Sequence, residues 1–350
     1  ALVYLLNDTF GMLIWSIAFY TSNAFVHFTF METIMTPVSI ALLNTVFRLV
    51  TVCILFPFIP KIEKLVCWLV KDSAEELEDE ADFDLLEERL LTYPALAIGQ
   101  CHRAMSGMAR KLRKNVNRAL NLLNDYQQSK YDKVQRKEDL IDKYESRLGD
   151  YLIKLTKHEM NTSQTRQVSL YLHMINDFER IGDHALNVAQ SAQEMHDKQI
   201  SFSTEAKSEL QAMRAALTET VHLAFDAFCK DDLNLAHQVE PMEEVIDTFN
   251  MRMKKKHIER LQKAACTVEL GYIFQDLLTN FERISDHCSN IAGCLIEIEE
   301  NRDMHEYLHD LKKSDESFQE QYHANLERYM MQLQQFMEQN QQTAEPVKSK

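Results

Sequence analysis

Two long apolar stretches open the chain, one from 10 to 31 and the other from 38 to 59. Each is roughly 22 residues long, which lets a helix cross the ~30 Å hydrocarbon core of a bilayer. The first contains one ionisable side chain, His27, and the second contains one charge, Arg48. We therefore predict two transmembrane helices within residues 1–70, and the alternative is a pair of helices buried in a soluble core.

The charges that flank these stretches predict their orientation. Lys61, Lys64 and Lys71 follow the second stretch, whereas the loop between the two stretches contains no Lys or Arg. Basic residues are enriched on the cytoplasmic side of membrane helices. We therefore expect a multi-pass protein of the cell membrane in which everything after about residue 60 is cytoplasmic.

Arg48 lies in the middle of the second predicted span. A guanidinium is costly in lipid, so this one should face protein or a water-filled cavity. Its partner there could be a bound anion within the membrane. It could equally be Asp8, Glu32 or a group that this sequence does not include.

After the spans the pattern becomes that of amphipathic helices. Residues 72–88 hold ten acidic and no basic side chains, so 71–92 is predicted to be a solvated linker. Beyond it apolar residues recur at helical spacing, and proline and glycine are scarce, with 6 and 7 in the whole chain. The sequence predicts an all-α fold with helices at about 94–127, 130–158, 163–197, 202–230, 233–266 and 268–300, then a C-terminal helix and tail in 301–350.

The first of these helices is strongly basic. Its cationic side chains are Arg103, Arg110, Lys111, Arg113, Lys114 and Arg118. Such a row is typical of a charged outer face. A second interpretation is a surface that meets anionic headgroups or the acidic linker.

The clearest motif occurs twice. The ten residues 178–187 and 281–290 are identical at seven positions, and each copy contains Glu-x-x-x-Asp followed by Asn. Each copy also has an upstream Glu-x-x-x-Asp, at 138–142 and 243–247. The offsets of 103 and 105 residues are nearly equal, which indicates an internal duplication of residues 93–198 and 201–300.

The duplicated motifs place pairs of carboxylates on one helix face, because residues four apart lie one turn above each other. Two neighbouring helices of this kind bring four carboxylates together, and carboxylate and amide oxygens suit hard cations such as Mg, Ca and Mn, or the iron of di-iron bundles. The alternative is plain ion pairing with Arg180 and Arg283. The candidate ligands are Glu138, Asp142, Glu179, Asp183, Glu243, Asp247, Glu282 and Asp286, with Asn187 and Asn290 beside them.

Composition excludes several other classes of protein. The net charge of −15 argues against a nucleic-acid partner. Seven cysteines without a C-x-x-C argue against a thiolate zinc site or a disulfide framework. The sequence contains no recognisable nucleophile motif, phosphate loop or H-E-x-x-H, so we do not expect an enzyme.

With these residues in place, 94–300 resembles a PhoU-type domain, through the repeated Glu-x-x-x-Asp and Phe-Glu-Arg-Ile-x-Asp-His. The resemblance implies two three-helix bundles that hold multinuclear clusters of iron, zinc or manganese. It assigns one cluster to each half, with the eight carboxylates as ligands. It adds Asp139 and Glu244 as further candidates.

Residues 1–70 resemble the final membrane spans of the sodium/phosphate cotransporter family. The similar residues are Ile40-Ala41-Leu42-Leu43-Asn44-Thr45-Val46-Phe47 and Leu55-Phe56-Pro57-Phe58. Arg48 stands where that family has Asn, and the serine- and glutamine-rich repeats of its substrate and sodium sites are absent here. The chain therefore resembles the C-terminal half of such a transporter.

The joint resemblance implies sodium-dependent phosphate transport across a lipid bilayer, with a cytoplasmic metal-binding regulatory domain. Phosphate and sodium would be the ligands. The alternative is a membrane-tethered regulator of phosphate uptake or signalling without transport activity. That regulator would act on a sensor kinase or a transporter subunit, and either form allows a homo-oligomer.

Overall fold

The computed structural model describes residues 48, 51–52, 82–263, 266–300 and 316–344. Arg48, Thr51 and Val52 are helical, and Arg48 is exposed. The remainder of both predicted membrane spans lies outside the described residues. Within the part that is described, no helix is both long enough and apolar enough to cross a bilayer.

The described residues from 82 onward belong to one compact unit, 74–350, and those before residue 74 belong to another. Among the described residues of the larger unit, two short 3₁₀ turns precede eight α-helices. The turns are Phe83–Leu85 and Glu88–Thr92, and the helices are α1 (Pro94–Leu122), α2 (Gln128–Leu155), α3 (Thr162–Asp197), α4 (Thr204–Lys230), α5 (Leu233–Ala236), α6 (Val239–Gln262), α7 (Val268–Glu300) and α8 (Glu316–Ala344). The predicted all-α fold is confirmed for this part of the chain.

Local chemistry explains the helix ends. Asn161 and Gln164 form a capping box at the start of α3, in which Asn161 Oδ1 accepts from the Gln164 N–H at 2.8 Å. The predicted single helix over 233–266 is instead interrupted after the one-turn α5. Pro241 then lies in the first turn of α6, where the missing N–H would have no intrahelical partner.

The two sets of three long helices form two bundles that pack against each other. Helices α1 to α3 make the first, and α4, α6 and α7 make the second, with α3 and α7 in the most extensive contact and α8 packed on α4 and α6. Phe178 of the duplicated motif is fully buried, and its ring packs edge-on against Phe225 and Phe228 of α4, with both centroids 5.3 Å away. The two halves therefore share one hydrophobic core.

The end of the acidic segment is docked on the first bundle. Asp82 Oδ2 accepts hydrogen bonds from Lys111 Nζ and from the Tyr144 hydroxyl, both at 2.6 Å. The Phe83 ring lies 4.6 Å from the Tyr144 ring, and Leu91 is buried. Residues 82–92 thus differ from a fully solvated linker because apolar side chains alternate with the acids. Lys111 is thus a residue of the basic row on α1 that contacts the described end of the acidic segment.

Gly107 on α1 makes room for this docking. A Cβ at that position would lie 2.1 Å from Asp82 Oδ2, far closer than atoms can approach. We therefore expect Gly107→Ala to displace Asp82 and lower the free energy of unfolding by about 1–2 kcal/mol through the lost charge-assisted bonds. The measurement is urea unfolding, combined with limited proteolysis around residue 82.

Gly99→Ala is the matched control, because an added Cβ there would have no neighbour within 4 Å and the residue is exposed on the same helix. Alanine at this position should stabilise α1 slightly, by up to about 1 kcal/mol. Equal effects of the two substitutions would show that Asp82 is not held at Gly107.

Candidate metal centres

The first candidate centre lies between α2 and α3. Glu138 and Asp142 are one turn apart on α2, and Asp183 faces them from α3. One carboxylate oxygen from each of the three lies within 4.8 Å of the others. Glu138 and Asp183 are half-buried and Asp142 is exposed. We call this set the first triad.

The electrostatics of the first triad favour a cation. Burial raises the pKa of Glu138 to about 7, and the charges of Asp142 and Asp183 add to this effect. Burial and the Asp183 charge raise the pKa of Glu179 to about 7 as well, although Arg180 opposes the shift. The pKa of Asp142 is also raised, by burial and then by Asp183. Carboxylates that resist ionisation together are stabilised when a metal ion neutralises them.

These shifts predict how the metal-free protein responds to pH. The pKa of Glu138 is about 7 in the folded protein and 4.5 for the ordinary carboxyl group. A raised pKa means that the folded state binds the proton more tightly. The stabilisation is therefore complete below pH 4.5 and lost as the pH rises through 7. In EDTA we expect a lower melting temperature at pH 8 than at pH 5.5.

Glu138→Gln should raise the melting temperature of the metal-free protein at pH 8 and reduce its dependence on pH. Glu159→Gln, at an exposed position between α2 and α3, is the control and should change neither. A melting temperature that is the same at both pH values in wild type and in Glu138→Gln would contradict the crowding of carboxylates described above.

The second candidate centre lies between α6 and α7 and repeats the first. Glu243, Asp247 and Asp286 each offer a carboxylate oxygen within 4.8 Å of the other two, and Glu243 is buried. Burial, followed by the Glu282 charge, raises the pKa of Asp286, although Arg283 and His287 oppose the shift. We call this set the second triad.

Glu179 and Glu282 were predicted as equivalent ligands. Neither belongs to a triad, and the two side chains have different partners. Glu179 lies 3.6 Å from Arg180 and interacts with Asp183. Glu282 instead accepts a hydrogen bond from Asn250, and its Oε2 lies 3.2 Å from Lys254 Nζ.

The offset of 105 residues between α2 and α6 shows where this difference comes from. It aligns Lys254 with Gly149 and Asn250 with Glu145. The second half therefore has a cation, Lys254, beside Glu282 at a position where the first half has a glycine. The two centres share their carboxylates but not their electrostatic surroundings.

Asn187 and Asn290, the additional ligand candidates, lie at the junction of the two halves. The Asn187 side-chain amide and the His184 ring both donate to Asn280 Oδ1, at 3.2 and 2.9 Å. Asp139 and Glu244, the remaining candidates, are left outside the two triads. Asp139 adds negative charge that raises the pKa of Glu138.

An equivalent set of hydrogen bonds joins the same two helices, α3 and α7, in the opposite direction. Asn290 and His287 of α7 donate to Asp177 Oδ1 of α3, at 3.3 and 2.8 Å. The rings of His184 and His287 stack with centroids 5.8 Å apart. Asp177 and its counterpart Asn280 were not among the predicted site residues. The offset of 103 residues could have identified them, because it aligns Asp177 with Asn280, and both are polar residues on mostly apolar helix faces.

Asp177→Ala should destabilise the protein by about 1–3 kcal/mol, because His287 and Asn290 would lose their acceptor at a mostly buried site. Asp177→Asn is the matched control, since it keeps a carbonyl oxygen and copies the residue that the other half uses. The measurement is equilibrium unfolding in urea. If Asn were as harmful as Ala, the acceptor role would be wrong.

Comparisons with known proteins agree with this geometry. The PhoU domain matches residues 105–192 and 210–295, one match in each half. PhoU from Pseudomonas aeruginosa has the same fold, with a TM-score of 0.55 and 23% identity over 60% of this chain and 98% of that chain. PhoU from Streptococcus pneumoniae gives a TM-score of 0.53 at 19% identity, again over 60% of this chain and 98% of that chain.

Two relatives differ in how much of the chain they match. A PhoU homologue from Thermotoga maritima, a phosphate-specific transport system accessory protein, is 26% identical over 58% of this chain and 87% of its own length. The Escherichia coli protein named "Putative inorganic phosphate export protein YjbB" is 20% identical over 72% of this chain but only 46% of its own length. With one match in each half, residues 105–192 and 210–295 belong to the PhoU domain family and are a tandem pair of PhoU domains.

Proposed function

We propose that this chain regulates phosphate transport across a membrane through metal ions bound at the two triads. The observation that carries the proposal is the repetition of three converging carboxylates in both halves of a PhoU domain pair. The names of the relatives connect such domains with phosphate transport systems and phosphate export. They describe accessory and transport proteins, and we propose no catalytic activity.

The donor atoms fit a metal ion. Each triad offers oxygens only, and the raised pKa values of Glu138 and Asp142 in the first triad reflect burial and the repulsion of neighbouring carboxylates. Such a set suits iron or manganese, and zinc accepts carboxylate oxygen as well. A bound cation would neutralise the acids and connect α2 to α3, or α6 to α7. It would thereby stiffen one pair of helices in each bundle.

The finer proposal is that the domain regulates spans of its own chain. The match with YjbB covers more of this chain than the match with the PhoU homologue, so the likeness extends beyond the residues that PhoU proteins share. Together with the apolar stretches at 10–31 and 38–59, this supports a transporter of phosphate in the cell membrane with residues after about 60 in the cytoplasm. Sodium as the coupling ion rests on the resemblance of residues 40–47 and 55–58 to the sodium/phosphate cotransporter family. A tethered regulator of a separate transporter or sensor kinase is the second candidate.

Radioactive phosphate flux in cells that express the chain tests the proposal. Replacing Asp183 and Asp286 together with Asn should change the flux at equal protein abundance, and exchanging sodium for potassium should abolish it. A phosphate flux that is the same in the double variant as in wild type would overturn the regulatory role. Flux that needs a second transporter gene would replace the finer proposal with the tethered regulator.

A further inference from the structure

A cavity of about 610 Å³ lies where the two halves meet, away from both triads. It is bounded by the end of α1, the last turns of α3 and the first turns of α4, and Asn340 of α8 borders it. Its size falls in the range of about 300–1,000 Å³ that small-molecule sites occupy.

The charge of this cavity is opposite to that of the chain. The protein carries 53 acidic and 38 basic side chains, for a net charge of −15. The described residues that line the cavity nevertheless include Lys207 and Arg214 and no Asp or Glu. Lys207 and Arg214 are seven residues apart on α4 and so lie on one face of that helix. The wall therefore presents positive charge without a carboxylate among its lining residues.

Among the described residues, the Arg214 guanidinium has no anionic partner. Its Nη1 lies 3.4 Å from the Leu120 carbonyl oxygen. The Asn124 side-chain amide lies against the guanidinium, and with its oxygen turned toward Arg214 it would accept hydrogen bonds from Nη1 and Nη2. Both acceptors are neutral, and burial lowers the pKa of Arg214 with no opposing carboxylate. A half-buried guanidinium with spare N–H groups and only neutral partners is stabilised by an anion that binds it.

The remainder of the wall is apolar and aromatic. Tyr126 and His196 face each other with ring centroids 4.5 Å apart. Met195, Phe202 and Leu210 also line the cavity. Inorganic phosphate alone would leave this surface uncovered, so the ligand should carry an organic body as well as a charged group.

We propose that this cavity binds a small organic oxyanion, either a phosphate ester or a carboxylate, of about the size of a mononucleotide. Arg214 and Lys207 contact the oxyanion, and Tyr126, Met195 and Phe202 contact the organic body. The site contains residues of both halves, so ligand binding stabilises their junction. It depends neither on the metal centres nor on the proposed role in phosphate transport.

Isothermal titration calorimetry on the full chain tests the site with four probes: AMP, citrate, inorganic phosphate and adenosine. We expect AMP or citrate to bind, inorganic phosphate to bind at least about 10-fold more weakly, and adenosine not to bind. Arg214→Gln should weaken binding about 10-fold or more, as expected when a charge-assisted hydrogen bond is lost. Arg214→Lys should retain part of the affinity.

Two further variants separate loss of the site from loss of the fold. Lys207→Gln removes a cation that is exposed and should weaken binding without changing the melting temperature. Arg103→Gln removes an exposed cation 19 residues before the end of α1 and should leave binding unchanged. Failure of both AMP and citrate to bind would overturn the proposal. So would equal binding of adenosine, or wild-type affinity in both Arg214→Gln and Lys207→Gln.

Discussion

Asp183→Asn is expected to empty the first metal centre and remove about half of the metal bound by the chain. Asn keeps the shape of Asp but lacks the negative charge. Without that charge, Glu138 and Asp142 no longer form a three-carboxylate site with residue 183. The second triad lies on different helices, α6 and α7, and should keep its metal. The measurement is elemental analysis of the purified full chain after dialysis against trace metal.

Asp150→Asn is the matched control, since this exposed carboxylate lies two turns beyond Asp142 on the same helix. It should bind as much metal as wild type. Asp286→Asn should remove the other half. Loss of all metal in either single variant would show that the centres are not independent, and loss of none would show that the triads are ordinary surface acids.

Phe178→Ala is expected to cost about 3–5 kcal/mol of unfolding free energy, the usual loss when a fully buried aromatic ring is truncated. The ring is 0% exposed and lies between the two halves, against Phe225 and Phe228. The cavity left behind would weaken the junction and not one bundle alone. Urea unfolding followed by circular dichroism should show a single transition, shifted to lower denaturant.

Phe178→Leu fills most of the same volume and should cost much less, because volume-conserving changes are better tolerated. Two separate transitions in Phe178→Ala, with one unchanged from wild type, would contradict a shared core. Equal destabilisation by Leu and Ala would point to the edge-on ring contacts as the main contribution.

Much of this architecture could be predicted from the sequence because its determinants are local. Spacing of four residues places Glu138 with Asp142, and Glu243 with Asp247, whatever surrounds them. The repeat then predicts that a second helix supplies Asp183 and Asp286. Six of the eight predicted carboxylates do lie in the two triads. The predicted membrane spans stay a prediction, since nearly all of them lie outside the described residues.

The features that could not be predicted depend on contacts between helices. Glu179 and Glu282 occupy the same place in the repeated motif, but Glu282 meets Asn250 and Lys254 from another helix. The basic residues of α1 allowed a contact with the acidic linker as one interpretation, but no sequence pattern identified Lys111 and Asp82 as the pair that meets. The cavity at Arg214 collects residues from four separate segments, and no short motif marks such a site.

Under the proposed metal binding, Lys254 would make the two halves respond differently to the metal supply. The Lys254 ammonium group pairs with Glu282, whose charge acts on Asp286, and it would oppose a cation that binds at the second triad. The first half has Gly149 at the equivalent position. We expect occupancy to rise in two steps as metal becomes abundant, and Lys254→Gln to merge the steps in a titration. A duplicated domain with this one difference would then respond at a low and at a high metal concentration, whereas a symmetric pair would respond at only one.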